Sequence, residues 1–145
     1  LIDRSIPAFM MAIGLMSRTL TGDPSAAMKV LAVTGTNGKT TVAWMVKHAL
    51  DSLGCPCAYL GTLGFLCGDI AEETSNTTPF PTEVWNFMAR AKSLGARAFS
   101  LEASSHALAE RRLGGVRFDV GAFTNLTQDH LDFHGNMEEY AAAKK

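Results

Sequence analysis

Residues 34–41, "TGTNGKTT", set a lysine behind a glycine-flanked turn and follow the apolar run "VLAV". This order can be a plain strand-to-helix connection, or it can be built to hold an anion. A glycine-rich turn that opens a helix points backbone N–H groups inward and adds the partial positive charge of the helix N-terminus. Lys39 would then reach the outer phosphates of a nucleotide and the Thr40 hydroxyl would face Mg²⁺. Gly35 and Gly38 allow the backbone to approach closely. The usual phosphate-loop pattern has glycine where Val33 stands here, so the motif is the shorter G-x-x-G-K-[ST].

Other chemistry-bearing residues come later in the chain. Glu102, in "LEASSH", is a carboxylate behind an apolar run. It could hold Mg²⁺ directly or through water, or could simply be solvated. "DHLDFH" gathers Asp129, His130, Asp132 and His134, but Leu131 stands where the H-E-x-x-H zinc motif needs glutamate. Ser104, Ser105 and His106 lack the G-x-S-x-G elbow of a hydrolase. Cys55, Cys57 and Cys67 are odd in number and at spacings that suit neither a disulfide framework nor a zinc site, so free thiols in a reducing, cytoplasmic setting are expected.

These groups need elements to position them. "KVLAVT" (29–34) has the continuous apolar character of a strand covered on both faces. Val42, Met45, Val46, Ala49, Leu50 and Leu53 then recur at helical spacing, with Gly54 as a stop. Strands are expected at 57–62, 96–103 and 118–126, and a hairpin over 63–74 turning at Gly68-Asp69. The spacing of Val84, Phe87, Met88, Ala91 and Leu94 predicts a further helix closed by Gly95, and a last helix begins near Asn136. The first 20 residues carry Ile6, Phe9, Met10, Ile13, Met16 and Leu20 at helical intervals, with Arg4 and Arg18 beside them. No cleavage signal follows them, which favours an amphipathic helix over a targeting peptide. Alternating strands and helices predict an α/β domain with a mostly parallel sheet flanked by helices, of mononucleotide-binding type. In such sheets ligands sit beyond the carboxyl ends of the strands, where "TGTNGKTT", "SNTTP", "EASSH" and "TNLTQDH" all fall.

Composition fits one globular domain of 145 residues: 47% of residues are hydrophobic and 19% charged. A net charge of −1 supplies no basic field for nucleic acid or an acidic membrane, and no apolar run is long enough to span a bilayer.

"TGTNGKTT", "NTTP", "EASSHAL", "FDVGAFTNLTQDHLDFHG" and "YAAAK", in this order, resemble the central ATP-binding domain of the Mur ligases over roughly residues 15–145. The resemblance is to the muramyl branch, and within it to the enzymes that add the third residue of the peptidoglycan stem peptide. Folylpolyglutamate and cyanophycin synthetases are related alternatives. It implies that residues 1–22 are a helix and linker from a preceding domain, and that 23–145 are the ATP-binding domain, incomplete at its C-terminus. Domains on either side of the same polypeptide would complete the enzyme. It also implies that Gly35, Thr36, Asn37, Gly38, Lys39, Thr40 and Thr41 hold ATP. Thr40 and Glu102 would ligate one Mg²⁺ and His130 a second. Asn76, Thr77, Thr78, Ser104 and Arg112 would bind the UDP-muramyl-peptide. Lys144 corresponds to a family lysine carbamylated by CO₂, and with Lys39 and His130 would serve catalysis. Glu110 departs from the glutamine often found in the family.

The implied reaction joins diaminopimelate or lysine to a D-glutamate carboxylate. Oxide is a hopeless leaving group, so the carboxylate first takes the γ-phosphate of ATP, and an amine then attacks the acyl phosphate. Positioning and charge neutralisation are the enzyme's task. Two rival readings use the same loop: a nucleotide-binding module without chemistry, and an NTPase that drives motion. A binding module has no need of two metal sites together with Lys144. An NTPase has no need of "SNTTP" and "SSHAL".

Overall fold

The computed structural model describes residues 5–144. Arg4, one of the charges flanking the first apolar stretch, lies outside them. Strand β1 (Lys29–Thr34) lies inside the sheet, next to one edge, and leads through the glycine turn into α2 (Lys39–Ser52). The helix before it is α1 (Ser5–Leu20). Then come β2 (Cys57–Gly61), β3 (Gly64–Cys67), β4 (Ile70–Glu72), α3 (Pro81–Ser93), β5 (Ala98–Glu102) and α4 (Ser105–Ala109). The chain ends in β6 (Val120–Phe123), α5 (Leu131–His134) and α6 (Met137–Ala143). The sheet order is β4-β3-β2-β5-β1-β6. β2, β5, β1 and β6 are parallel, while β3 and β4 add an antiparallel edge. The expected hairpin is β3–β4, turning at Gly68-Asp69. A second tight turn at Thr62-Leu63 joins β2 to β3 and was not expected. The strands at 57–62, 96–103 and 118–126 are all shorter than expected, because their flanking residues already belong to loops.

Side chains alternate across the sheet, so each face has its own cover. On one face, Val84, Trp85, Met88 and Ala91 of α3 pack on Val30, Ala58, Leu60, Phe65, Phe99 and Leu101. On the other, Ala43 and Val42 of α2 meet Val33, Tyr59 and Leu66. The Ser100 hydroxyl, inside the sheet, donates to the Ala43 carbonyl at 2.9 Å and pins α2 to the centre. Residues 100 and 102 share a face by the strand period, so Glu102 lies on the α2 side. The candidate site is built there.

Two helices turn differently from the sequence expectation. In α1, Ile6, Phe9, Met16 and Leu20 are exposed, and Gly14 and Ser17 are buried. Gly14 lies so close to the Gly114 carbonyl that a Cβ would collide with it. Small residues win this face because they let the backbones approach. In α2 the buried residues are Ala43 and Lys47, whereas Met45 and Leu53 are 59% and 81% exposed. Helix α3 meets its expectation at Val84, Met88 and Ala91, with Trp85 added, while Leu94 is exposed. Helix α6 starts where expected, with the Asn136 side chain accepting from the Glu139 amide at 2.8 Å as an N-cap. All three cysteines are free thiols. Burial, then the Asp51 charge, pushes the Cys57 thiol up to about 12, which leaves it inert. No helix among the described residues is long and apolar enough to cross a membrane.

Candidate functional site

Gly35 and Gly38 have φ of 140° and 85°, a region that favours glycine. A Cβ on Gly35 would also strike the Thr124 hydroxyl, so the turn is closed by conformation and by space together. Gly38 forms the N-cap of α2. The first amides of that helix have no acceptor within it and open into the loop. The segment after β6 laces the turn shut. The Thr36 amide donates to the Asn125 carbonyl and the Asn37 amide to Asn125 Oδ1, at 2.9 and 3.0 Å. The Thr124 hydroxyl donates to the Asn37 carbonyl at 2.6 Å, and the Thr127 amide to the Thr36 hydroxyl at 3.0 Å.

Lys39 folds back over the turn, with Nζ 2.9 Å from both the Gly35 and the Thr36 carbonyl oxygens. Lys144 Nζ donates to the same Gly35 oxygen at 2.9 Å and sits 4.7 Å from the centre of the Tyr140 ring. Two cationic side chains, 105 residues apart in sequence, thus share one carbonyl. Burial, then the Lys39 charge, brings the Lys144 ammonium down to about 8.

Thr40, on the first turn of α2, donates to Glu102 Oε2 at 2.9 Å. Glu102 is 1% exposed. Its other donors are the Tyr59 hydroxyl and the amide and hydroxyl of Thr62. No basic side chain among the described residues forms an ion pair with it. A buried carboxylate met only by neutral donors is a place where a bound cation would supply the opposite charge. Its oxygen donors suit a hard ion such as Mg²⁺.

The expected substrate residues gather beside this carboxylate. The Thr77 and Thr62 hydroxyls are 3.1 Å apart. The buried Thr78 hydroxyl donates to the Glu102 carbonyl at 2.7 Å and accepts from the Ser104 amide at 3.0 Å. Ser104 caps α4 by accepting from the Ala107 amide, 3.2 Å away. Arg112 donates to the Thr78 carbonyl at 3.1 Å and stacks over Phe80, 4.5 Å from its ring centre. Its Nε is paired with Glu110 at 2.7 Å, which neutralises this arginine. Asn76 is exposed at the rim.

His130 packs with His106, Asp129 and Tyr140. Its ring is 4.8 Å from that of His106 and its Nε2 is 3.3 Å from Asp129 Oδ2. Among the described residues no three His, Cys, Asp or Glu side chains are grouped so as to hold a metal ion. His130 reaches the loop through Tyr140: the rings are 6.3 Å apart, and the Tyr140 hydroxyl is 3.0 Å from that of Thr36. His130 also has φ 50°, a strained value for a side-chain-bearing residue. Burial, then His130, holds the His106 imidazole below the usual histidine range. Ser105 is buried and its hydroxyl has no partner among the described residues, while Ser104 is committed to its cap, so no serine–histidine pair forms among them there.

Sequence reasoning did not single out Tyr59, Thr62, Thr124, Asn125, Thr127 or Tyr140. For Thr124, Asn125 and Thr127 the signal was present, in a polar cluster directly after a strand. Tyr59 gives none, because a tyrosine inside an apolar strand reads as core.

Comparison with known proteins fits this geometry. A family model described as the Mur ligase middle domain matches residues 33–145. The UDP-N-acetylmuramoyl-L-alanyl-D-glutamate–2,6-diaminopimelate ligase of Coxiella burnetii is 45% identical over 133 residues, covering 92% of this chain and 27% of that protein. The ligase of the same name from Pseudomonas aeruginosa is 49% identical over 123 residues, 85% of this chain and 25% of its own length. A solved structure of a ligase so named superposes with a TM-score of 0.78 at 34% identity, over 92% of this chain and 28% of the other. The chain therefore spans about a quarter of the length of the curated relatives it matches. Sharing that family model from residue 33 onward, the chain belongs to the Mur ligases and carries their middle domain.

Proposed function

We propose that this domain serves an ATP-dependent ligase that joins the amine of 2,6-diaminopimelate to the D-glutamate carboxylate of a UDP-muramyl dipeptide in peptidoglycan synthesis, in the cytoplasm. The names of the relatives support the diaminopimelate choice over lysine. The observation that carries the reading is the pairing of Thr40 with the buried Glu102 at the mouth of the loop that Lys39 closes.

In this reading residues 35–41 wrap the ATP phosphates. Lys39 leaves the Gly35 and Thr36 carbonyls to meet the γ-phosphate. Thr40 and Glu102 would hold Mg²⁺, which when bound draws charge from the phosphates and screens two anions as they approach. Thr77, Thr78, Ser104 and Arg112 would set the edge where the muramyl peptide lies, with Arg112 leaving Glu110 to meet its anionic groups and Asn76 at the rim. His130 would meet a second cation or orient Tyr140 against the loop. Lys144 would take up CO₂: its neutral amine attacks the carbon, the nitrogen gives up one proton, and a carbamate anion replaces an ammonium. That exchange removes the repulsion between the two lysines at the Gly35 carbonyl. The neighbouring domains of the same polypeptide would complete the uridine and amino-acid pockets.

The test is phosphate release by the polypeptide that carries this domain. Release should require the muramyl dipeptide and diaminopimelate together, and Lys39→Ala should lower it by about a thousandfold or more. Steady release without either substrate would instead favour an NTPase. Nucleotide binding with no release under any condition would favour a binding module.

A further inference from the structure

Glu102 is held unequally at its two oxygens. Oε1 accepts from the Tyr59 hydroxyl and from the Thr62 amide, the latter at 2.9 Å. Oε2 accepts from the Thr40 and Thr62 hydroxyls at 2.9 and 3.3 Å. The donors to Oε2 are threonine hydroxyls that turn about a single bond and can be released to a ligand. The donors to Oε1 cannot. One is a backbone amide, and the other is a phenol with no solvent exposure, packed against Val33 and Ala43 under α2. The Leu63 amide donates into the Tyr59 oxygen at 3.4 Å, which directs the phenol's own proton at the carboxylate.

Gly61 completes the arrangement. It lies two residues beyond Tyr59 and so on the same face of β2. A Cβ there would collide with Glu102 Oε1 and with the Tyr59 hydroxyl. Its φ is not among the positive values, so space rather than backbone conformation asks for glycine.

We propose that Tyr59 and Gly61 are positioning residues for the cation site: Tyr59 pins Oε1, Gly61 leaves room for it to do so, and Glu102 therefore presents Oε2 alone, beside Thr40, as a single-oxygen ligand. This rests on the reading of Glu102 as a cation ligand given above. Groups that orient a metal's direct ligands typically change its affinity by about 10–100-fold when removed. Tyr59→Phe keeps the ring and its packing and deletes only the donor. Gly61→Ala keeps the Tyr59 donor but sets a Cβ against Oε1 and the Tyr59 hydroxyl, so it disturbs the same contact by crowding.

The experiment titrates Mn²⁺ into the protein with a non-hydrolysable ATP analogue, followed by electron paramagnetic resonance. Analogue affinity without metal and the urea unfolding midpoint are measured in parallel. Glu102→Gln is expected to abolish tight Mn²⁺ binding. Tyr59→Phe and Gly61→Ala should each weaken it by roughly tenfold, with metal-free analogue affinity unchanged within about twofold. A purely structural role would move the unfolding midpoint and both affinities together. Mn²⁺ affinity unchanged in both β2 variants, while Glu102→Gln loses it, overturns the positioning role alone. Unchanged affinity in Glu102→Gln overturns the cation reading and this inference with it.

Discussion

Lys144 shows how burial converts an ordinary residue into a reactive one. With its ammonium brought down to about 8, roughly a quarter of the amine is neutral at pH 7.5, against about a thousandth for an ordinary lysine. Only the neutral form attacks CO₂. In ¹³C-bicarbonate a carbamate signal should appear near neutral pH and vanish in Lys144→Arg; a spectrum identical in the two proteins would refute the assignment. The same shift predicts a pH dependence of stability. Between about pH 8 and the usual lysine value near 10.5, the unfolded chain binds more protons than the folded one, so stability rises with pH across that window. Below it the full penalty of burying the charge remains. Urea midpoints measured from pH 7 to 10 should climb, and should climb less in Lys144→Met. Because the second cause of the shift is Lys39, removing that charge should raise the Lys144 value toward normal.

At the scale of an element, α2 is fixed at both ends by polar contacts rather than by a broad apolar stripe. Thr40 ties its first turn to Glu102. At its last turn the buried Lys47 pairs with Asp51 at 2.5 Å, and Asp51 also accepts the Cys57 amide at 2.8 Å. One carboxylate thereby joins the end of the helix to the start of β2, which sets where Tyr59 arrives under the loop. Asp51→Ala strands both a buried ammonium and a backbone amide. It should lower stability by about 3 kcal/mol in urea denaturation, and Lys47→Met in the same background should restore part of the loss. A loss below about 0.5 kcal/mol would show the pair to be incidental.

Across the whole molecule, the sheet carries the ends of β1, β2, β5 and β6 to one rim, and the loops after them meet there. That is the reason residues 35–41, 62, 77–78, 102–112 and 124–144 converge. The α1 side of the domain is held by close backbone contact. Gly14 of α1 meets Gly114, and Gly115 lies 3.5 Å by its potential Cβ from Trp85 of the α3 face. Gly14→Leu should force α1 away, costing about 1–3 kcal/mol and speeding amide exchange along residues 5–20 while leaving residues 29–34 protected. Slowed or unchanged exchange in α1 would count against this packing.

The local order of residues determined the parallel sheet, the glycine turn between β1 and α2, the face of α3 and the cap of α6, since each rests on neighbours within a few positions. The loop lysine, Thr40, Glu102 and the 76–78 segment could be named for the same reason, with the resemblance supplying their roles. Tertiary structure alone decided which stripes of α1 and α2 are buried, because both helices are apolar on more than one side and the choice depends on how closely a distant backbone can approach. It also decided that Lys144 and Lys39 share the Gly35 carbonyl and that Tyr59 holds Glu102. Lys144 and Lys39, like Tyr59 and Glu102, lie on different elements, and their charges and hydrogen bonds take effect only once the fold has brought each donor to its acceptor and excluded water.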